Sequence, residues 1–299
     1  MKSLFYLLSA TILSAGMLSC SHNKTNLTAA GTAKTTIHHN GVNIAYTDTR
    51  NTSDTTLLFV HGWAINKGYW KDQVSYFGKR YRVVAIDLPG FGQSGKNRKQ
   101  WDTQTFAGDV DSVIKALDLK KVILVGHSMS GDIVLQAAID NPDKVIGLVG
   151  VDNFNSPGAP QTEQSKKEYA AAIIQLKQHF KQTAFAWFNQ ELFSKTTSKE
   201  IRERVLNDVA KADSVIAVAC LENGNDFKEI DKLKEAGKKL YLINSDMHPV
   251  DSTYLLANKI PYHIYIVPGS GHFPMVEHPK VFNMQLDHVI GDINHPLTP

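Results

Sequence analysis

The sequence predicts an α/β fold, a mostly parallel sheet with helices on both faces and a helical cap inserted late in the chain. Three observations carry this. Short apolar runs recur at Leu57–Val60, Val83–Ile86, Val122–Val125 and Val145–Val151. Runs this short and this uniformly apolar read as strands covered on both faces. Segments with helical spacing lie between them, at Tyr69–Phe77, Thr105–Leu117 and beyond Gly131, and strands alternating with helices argue for a parallel sheet. The alternation then stops from Phe154 to about Glu235, where only helical patterns occur, and strands return at Leu240–Ile243 and Tyr262–Val267.

Composition narrows the function classes. The chain has 299 residues, 42% hydrophobic and 20% charged, in the ordinary range for a globular enzyme. A formal net charge of +3 is too small to argue for nucleic acid or an anionic surface. No Lys/Arg cluster with interleaved aromatics and no internal repeat is present. Cys20 and Cys220 are the only cysteines, so no disulfide framework is indicated. Cys220 ends the apolar run Val215–Cys220 and reads as buried packing. His22, His38 and His39 lack partners at metal-ligand spacing, so no metal is expected.

Taken in order, the chain opens with Lys2 and an apolar stretch from Leu4 to Leu18, ending Met17-Leu18-Ser19-Cys20. That is the layout of an export signal, too short to span a membrane comfortably. It resembles a bacterial lipoprotein signal, with Met17 where leucine is usual. The resemblance implies lipidation of Cys20, a membrane partner through that anchor, and residence in the cell envelope. A plain signal peptide releasing a periplasmic or secreted protein is the alternative. Residues 21–36 are rich in Ser, Thr, Asn, Ala and Gly, and read as a flexible tether.

Val42–Tyr46 reads as an early strand, and the stronger run Leu57–Val60 leads into His61-Gly62-Trp63. Val83–Ile86 leads into Asp87-Leu88-Pro89-Gly90-Phe91-Gly92-Gln93-Ser94-Gly95, whose glycines and proline predict a constrained loop. Asp87 is expected to tie that loop to neighbouring backbone. Phe106, Val110, Val113, Ile114 and Leu117 give the next helix one apolar face. Val122–Val125 then runs into Gly126-His127-Ser128-Met129-Ser130-Gly131 and a helical pattern. A strand, a sharp turn with serine at its apex and a helix make the layout of a nucleophile elbow. Small residues at 126 and 130 let the two backbones approach, and the Met129 N–H at the helix start faces charge that develops on a substrate. Asn141-Pro142 stops the helix, and Asp152 follows the strand Val145–Val151. Two helical stretches, Glu163–Phe193 and Lys199–Cys220, form the expected cap. Its aromatics Phe185, Trp187, Phe188 and Phe193 read mainly as cap core, with pocket lining as the alternative. Asn244-Ser245-Asp246 follows the strand at 240–243, Pro268-Gly269-Ser270-Gly271-His272-Phe273-Pro274 follows the last strand, and a helix starts near Pro279.

These motifs, in this order, resemble the α/β-hydrolase superfamily from about Ile37 to Ile290. Ser130 departs from the usual G-x-S-x-G, where glycine stands at the fifth position. The resemblance divides the chain into a core over 37–153, a cap over 154–235 and a second core part over 236–299. It implies Ser128 as nucleophile, His272 as general base, and an acid that orients His272. Asp246 is the first choice for that acid and Asp152 the second, with Asp226 and Asp251 behind. The Trp63 and Met129 backbone N–H groups would hold the oxyanion. His61 is expected to shape the oxyanion turn and His127 to point into packing. The implied reaction is hydrolysis of a small or medium carboxylic ester through an acyl-enzyme, with no cofactor. Serine at the apex argues against epoxide hydrolases and haloalkane dehalogenases, which carry aspartate there. Perhydrolases, C–C bond hydrolases, lactonases, amide hydrolases and lipases share this triad. A non-catalytic binding module on the same fold is the reading from a different class.

Overall fold

The computed structural model describes residues 35–224 and 227–295. The expected signal, Cys20 and most of the tether lie outside the described residues, as does Asp226. Eight strands form one sheet: β1 (Thr36–His39), β2 (Val42–Asp48), β3 (Thr56–Val60), β4 (Arg82–Ile86), β5 (Val122–His127), β6 (Val145–Val151), β7 (Leu240–Ser245) and β8 (Tyr262–Val267). Their order is β1-β2-β4-β3-β5-β6-β7-β8. The first two pairings, β1 with β2 and β2 with β4, are antiparallel, and every other pairing is parallel.

Strand β1 escaped the sequence pattern for a physical reason. It is an edge strand whose residues alternate between exposed and half-buried, so it carries no apolar run. Asn40 and Gly41, both at positive φ (44° and 79°), make the two-residue turn that folds it onto β2. By contrast every residue of β3 and of β5 is buried, as expected for strands covered on both faces.

The helices are α1 (Lys71–Phe77), entered through a 3₁₀ turn at Lys67–Trp70, then α2 (Thr103–Ala116) and α3 (Ser130–Asp140). Next come α4 (Glu163–Trp187), a π turn (Phe188–Leu192), α5 (Lys199–Lys211), α6 (Ser214–Gly224) and α7 (Glu229–Ala236). The chain ends with α8 (Thr253–Ala257), α9 (Pro274–Glu277) and α10 (Pro279–Asn294). Helices α2 and α3 pack together on the strands, and α1 packs with α10. The expected helix over 163–193 is bent at His179 (φ −137°, ψ 50°) and closes in the π turn. The stretch expected over 199–220 is two helices, because Asp213 caps a new one through the Val215 and Ile216 N–H groups. Helix α7, inside the span expected for the cap, packs on α3. Among the described residues no helix is long and apolar enough to cross a membrane.

The parallel register brings the functional turns together. Val60 stands opposite Gly126, and His127 opposite Val151. The chain therefore leaves β3, β5 and β6 at one level, delivering the His61–Trp63 turn, Ser128 and Asp152 to the same edge of the sheet. Ligand sites of open α/β sheets form at this carboxyl edge.

Candidate active site

Ser128 sits at φ 53°, a left-handed conformation that non-glycine residues rarely adopt. Its neighbours hold it there. The Ser128 N–H donates to Val151 O at 2.9 Å, and Gly131 N–H donates back to Ser128 O at 2.9 Å. Asn153 Nδ2 donates to Gly126 O (2.9 Å) and to Ser128 O (3.2 Å), clamping the elbow from the next strand. A side chain at Gly126 would come within 2.3 Å of Ser130 O, so only glycine lets strand and helix approach this closely. Ser130, which stands where glycine is usual, is fully buried, and its Oγ donates to His61 O. The departure from the usual pattern thus ties the elbow to the turn that follows β3.

That turn packs directly on the elbow. A Cβ at Gly62 would lie 2.6 Å from His127 Nδ1 and 3.0 Å from Ser128 Cβ. His61 accepts the Leu88 N–H at Nε2 (3.0 Å), so it shapes the turn as expected. Burial lowers its pKa and keeps the ring neutral. The Trp63 indole donates to Ala217 O in α6 at 2.7 Å, and its ring packs against the cap residues Phe180, Trp187 and Phe188. The backbone N–H groups of Trp63 and Met129 take no part in the turn and loop hydrogen bonds among the described residues. Asp87 accepts from the Lys67 N–H (2.7 Å), Lys67 Nζ (2.6 Å) and the Gln93 N–H (2.9 Å), the loop-tying role expected of it.

The acid beside His272 is Asp152. Its Oδ2 lies 2.6 Å from His272 Nδ1, and its Oδ1 accepts the Ser245 N–H at 2.7 Å. Burial works to raise the Asp152 carboxyl. The hydrogen bond and charge of His272, with the Ser245 amide, outweigh it and bring the group down to about 2. The expectation of Asp246 is corrected. Asp246 is exposed, and its Oδ1 accepts the Gly269 N–H at 2.9 Å, at the base of the histidine loop. Strand β6 ends at Val151, opposite Ile243, whereas β7 continues to Ser245, so Asp246 leaves the sheet two residues beyond the level at which Asp152 turns inward at φ 48°. Asp251 is exposed and accepts the Thr253 N–H at 3.0 Å.

The loop carrying His272 is fixed from both sides. Its N–H donates to Leu192 O of the π turn at 2.8 Å. His127 does more than pack: its Nε2 lies 2.7 Å from His272 O and donates to it. Burial, with the charge of His272, lowers His127 to about 3, so the ring remains a neutral strut. Glu277 accepts the Gly271 N–H (3.0 Å), the Phe273 N–H (3.2 Å) and Thr197 Oγ1 of the cap (2.6 Å). Sequence reasoning missed Asn153 and Glu277, because each acts on backbone far from it in sequence or without any motif.

The assembled parts are a serine on a strained elbow, a histidine with a buried carboxylate on Nδ1, and two backbone donors at the adjoining turns. Such an arrangement can carry out acyl-transfer chemistry. Among the described residues no cluster of His, Cys, Asp and Glu could hold a metal ion.

Comparison with known proteins agrees with the geometry. A family model described as the alpha/beta hydrolase fold matches residues 55–279. The pimeloyl-[acyl-carrier protein] methyl ester esterase of Yersinia enterocolitica is 26% identical over 242 residues, covering 77% of this chain and 91% of the relative. The AB hydrolase superfamily protein YisY of Bacillus subtilis is 32% identical over 165 residues, covering 53% of this chain and 61% of that protein. Among solved structures, a thermophilic esterase from Thermogutta terrifontis superposes with a TM-score of 0.73 at 21% identity, covering 87% of this chain and 97% of that one. With its sheet order, its elbow and this match across most of its length, the chain belongs to the α/β hydrolase fold family.

Proposed function

We propose that this protein hydrolyses small carboxylic esters through a covalent acyl-enzyme, with Ser128, His272 and Asp152 as its triad. The observation that carries the reading is the 2.6 Å contact between His272 Nδ1 and the buried Asp152 carboxylate, at the sheet edge where the elbow presents Ser128. Ser128 Oγ attacks the ester carbonyl while His272 Nε2 takes its proton. The tetrahedral oxyanion is met by the Trp63 and Met129 N–H groups, each worth a few kcal/mol, about 3 to 4, in comparable sites. Collapse expels the alcohol, which takes the proton from His272. Water, activated by the same histidine, then releases the acid. Asp152 stays ionised throughout, holds the tautomer with the proton on Nδ1, and stabilises the transient imidazolium. The ester-cleaving relative supports this substrate class.

The test is fluorophosphonate labelling with the adduct located by mass spectrometry. We expect a label on Ser128 that is lost in His272→Ala, together with turnover of p-nitrophenyl butyrate that Ser128→Ala abolishes. Undiminished turnover in Ser128→Ala would sink the mechanism.

We also infer export and lipid anchoring at Cys20, supported by the sequence Met1–Cys20. Metabolic labelling with palmitate should mark the wild-type chain and miss Cys20→Ser. Equal labelling of both would overturn the anchor.

A further inference from the structure

A cavity of about 220 Å³ opens beside Ser128, walled by Trp63, Phe106, Tyr169 and Trp187 and reached by Asp132. It falls below the roughly 300–1,000 Å³ of pockets that take drug-sized ligands, so it suits one small substituent. Three polar side chains on its wall are already engaged within the protein. Trp63 Nε1 donates to Ala217 O at 2.7 Å, and the Tyr169 hydroxyl donates to Leu221 O at 2.6 Å. Asp102 caps α2 by accepting the Thr105 N–H at 2.7 Å.

Asp132 differs from these three. It stands in the first turn of α3 and lines the cavity together with Ser128. Among the described residues no hydrogen bond or ion pair reaches its carboxylate. No Lys, Arg or His lines the cavity. Asp132 also borders a second cavity, of about 640 Å³, which it shares with Glu229. Glu229 is itself occupied in accepting the Gly158 N–H at 3.3 Å. Burial, with the charge of Glu229, holds the Asp132 carboxyl well above the ordinary carboxylate range. The fold therefore makes the ionised carboxylate costly and supplies no positive partner to relieve it, which a bound cation would do. A carboxylate lacking a counter-charge, set among aromatic rings, is the chemistry that recognises an organic ammonium ion.

We propose that the cavity beside Ser128 receives an organic ammonium group carried by the substrate, with Asp132 as its counter-ion and Trp63, Tyr169 and Trp187 as its walls. As a statement about substrate choice this rests on the serine-hydrolase reading. As a statement about binding it does not. The substrate class it names is an ester bearing a small amine.

The experiment compares n-butylammonium with 1-butanol, two probes of similar size that differ in charge. Binding is read by tryptophan fluorescence, since Trp63 and Trp187 line the cavity. The wild-type protein should bind the ammonium at least about tenfold more tightly, which is about 1.4 kcal/mol. In Asp132→Asn that ratio should fall to about one. Saturating n-butylammonium should also slow fluorophosphonate labelling of Ser128. Equal affinity for the two probes in the wild-type protein would overturn the proposal with no variant needed, as would labelling that n-butylammonium leaves unchanged. A protein that binds the ammonium selectively but turns over no ester would refute the hydrolase reading and leave the cation site standing. Ester turnover without charge preference would do the reverse.

Discussion

Two adjacent strands, β6 and β7, each deliver an aspartate to the carboxyl edge of the sheet, and only one of them meets the histidine. Asp152 turns inward at φ 48°, is 3% exposed, and divides its two oxygens between His272 Nδ1 and the Ser245 N–H. Asp246 faces solvent and bonds the Gly269 N–H. The difference shows what a carboxylate needs in order to pair with a histidine at this edge. It must be deep enough for its charge to act through low dielectric, and its spare oxygen must be satisfied so that the charge is affordable there. Position after a strand is necessary and falls short. The Ser245 amide, which stabilises Asp152, belongs to the very strand whose next residue is Asp246, so the two aspartates are parts of one construction.

The comparison can be broken most directly by exchanging the carboxylates for amides. Asp152→Asn should lower kcat by about 10⁴-fold, the loss seen when a triad aspartate is replaced and the histidine held in the wrong tautomer. A loss under about tenfold, read by p-nitrophenyl butyrate kinetics, would mean that another acid orients His272. A smaller effect is expected from Glu277→Gln. Glu277 is a positioning residue, which grips the amides on both sides of His272 and reaches Thr197 in the cap. Weakening charge-assisted bonds of this kind costs about 1–3 kcal/mol. The loss should fall on kcat, by about tenfold or more, with KM within about twofold. A loss confined to KM would assign Glu277 to substrate binding instead. The smallest effect belongs to Asp246→Asn, since an amide oxygen can still accept the Gly269 N–H. Its kcat should stay within about threefold of wild type, and a loss approaching that of Asp152→Asn would reverse the assignment.

A second contrast lies between the cap and the core. The buried strands of the core announce themselves, because a strand covered on both faces has no choice but to be apolar throughout. The cap helices showed their periodicity and hid their breaks. The bend at His179 and the new start at Asp213 cost little local sequence signal, since each is a matter of one residue's dihedral angles or one side-chain bond. Strand β1, half exposed at the edge, left no apolar trace either.

The sequence by itself determined the fold class, the elbow at Ser128, the histidine loop at His272 and the turn at His61–Trp63. Each is a local arrangement whose residue types are dictated by backbone geometry within a few positions. Only the tertiary structure decided which aspartate meets His272, and it also decided that Ser130, Asn153, His127 and Glu277 brace the surrounding turns. Those assignments depend on strand register and on depth beneath the surface. Both arise from contacts between residues distant in sequence, 120 positions apart for Asp152 and His272. No local pattern encodes such a contact, because any exposed or buried aspartate after a strand looks the same until the strands are laid side by side.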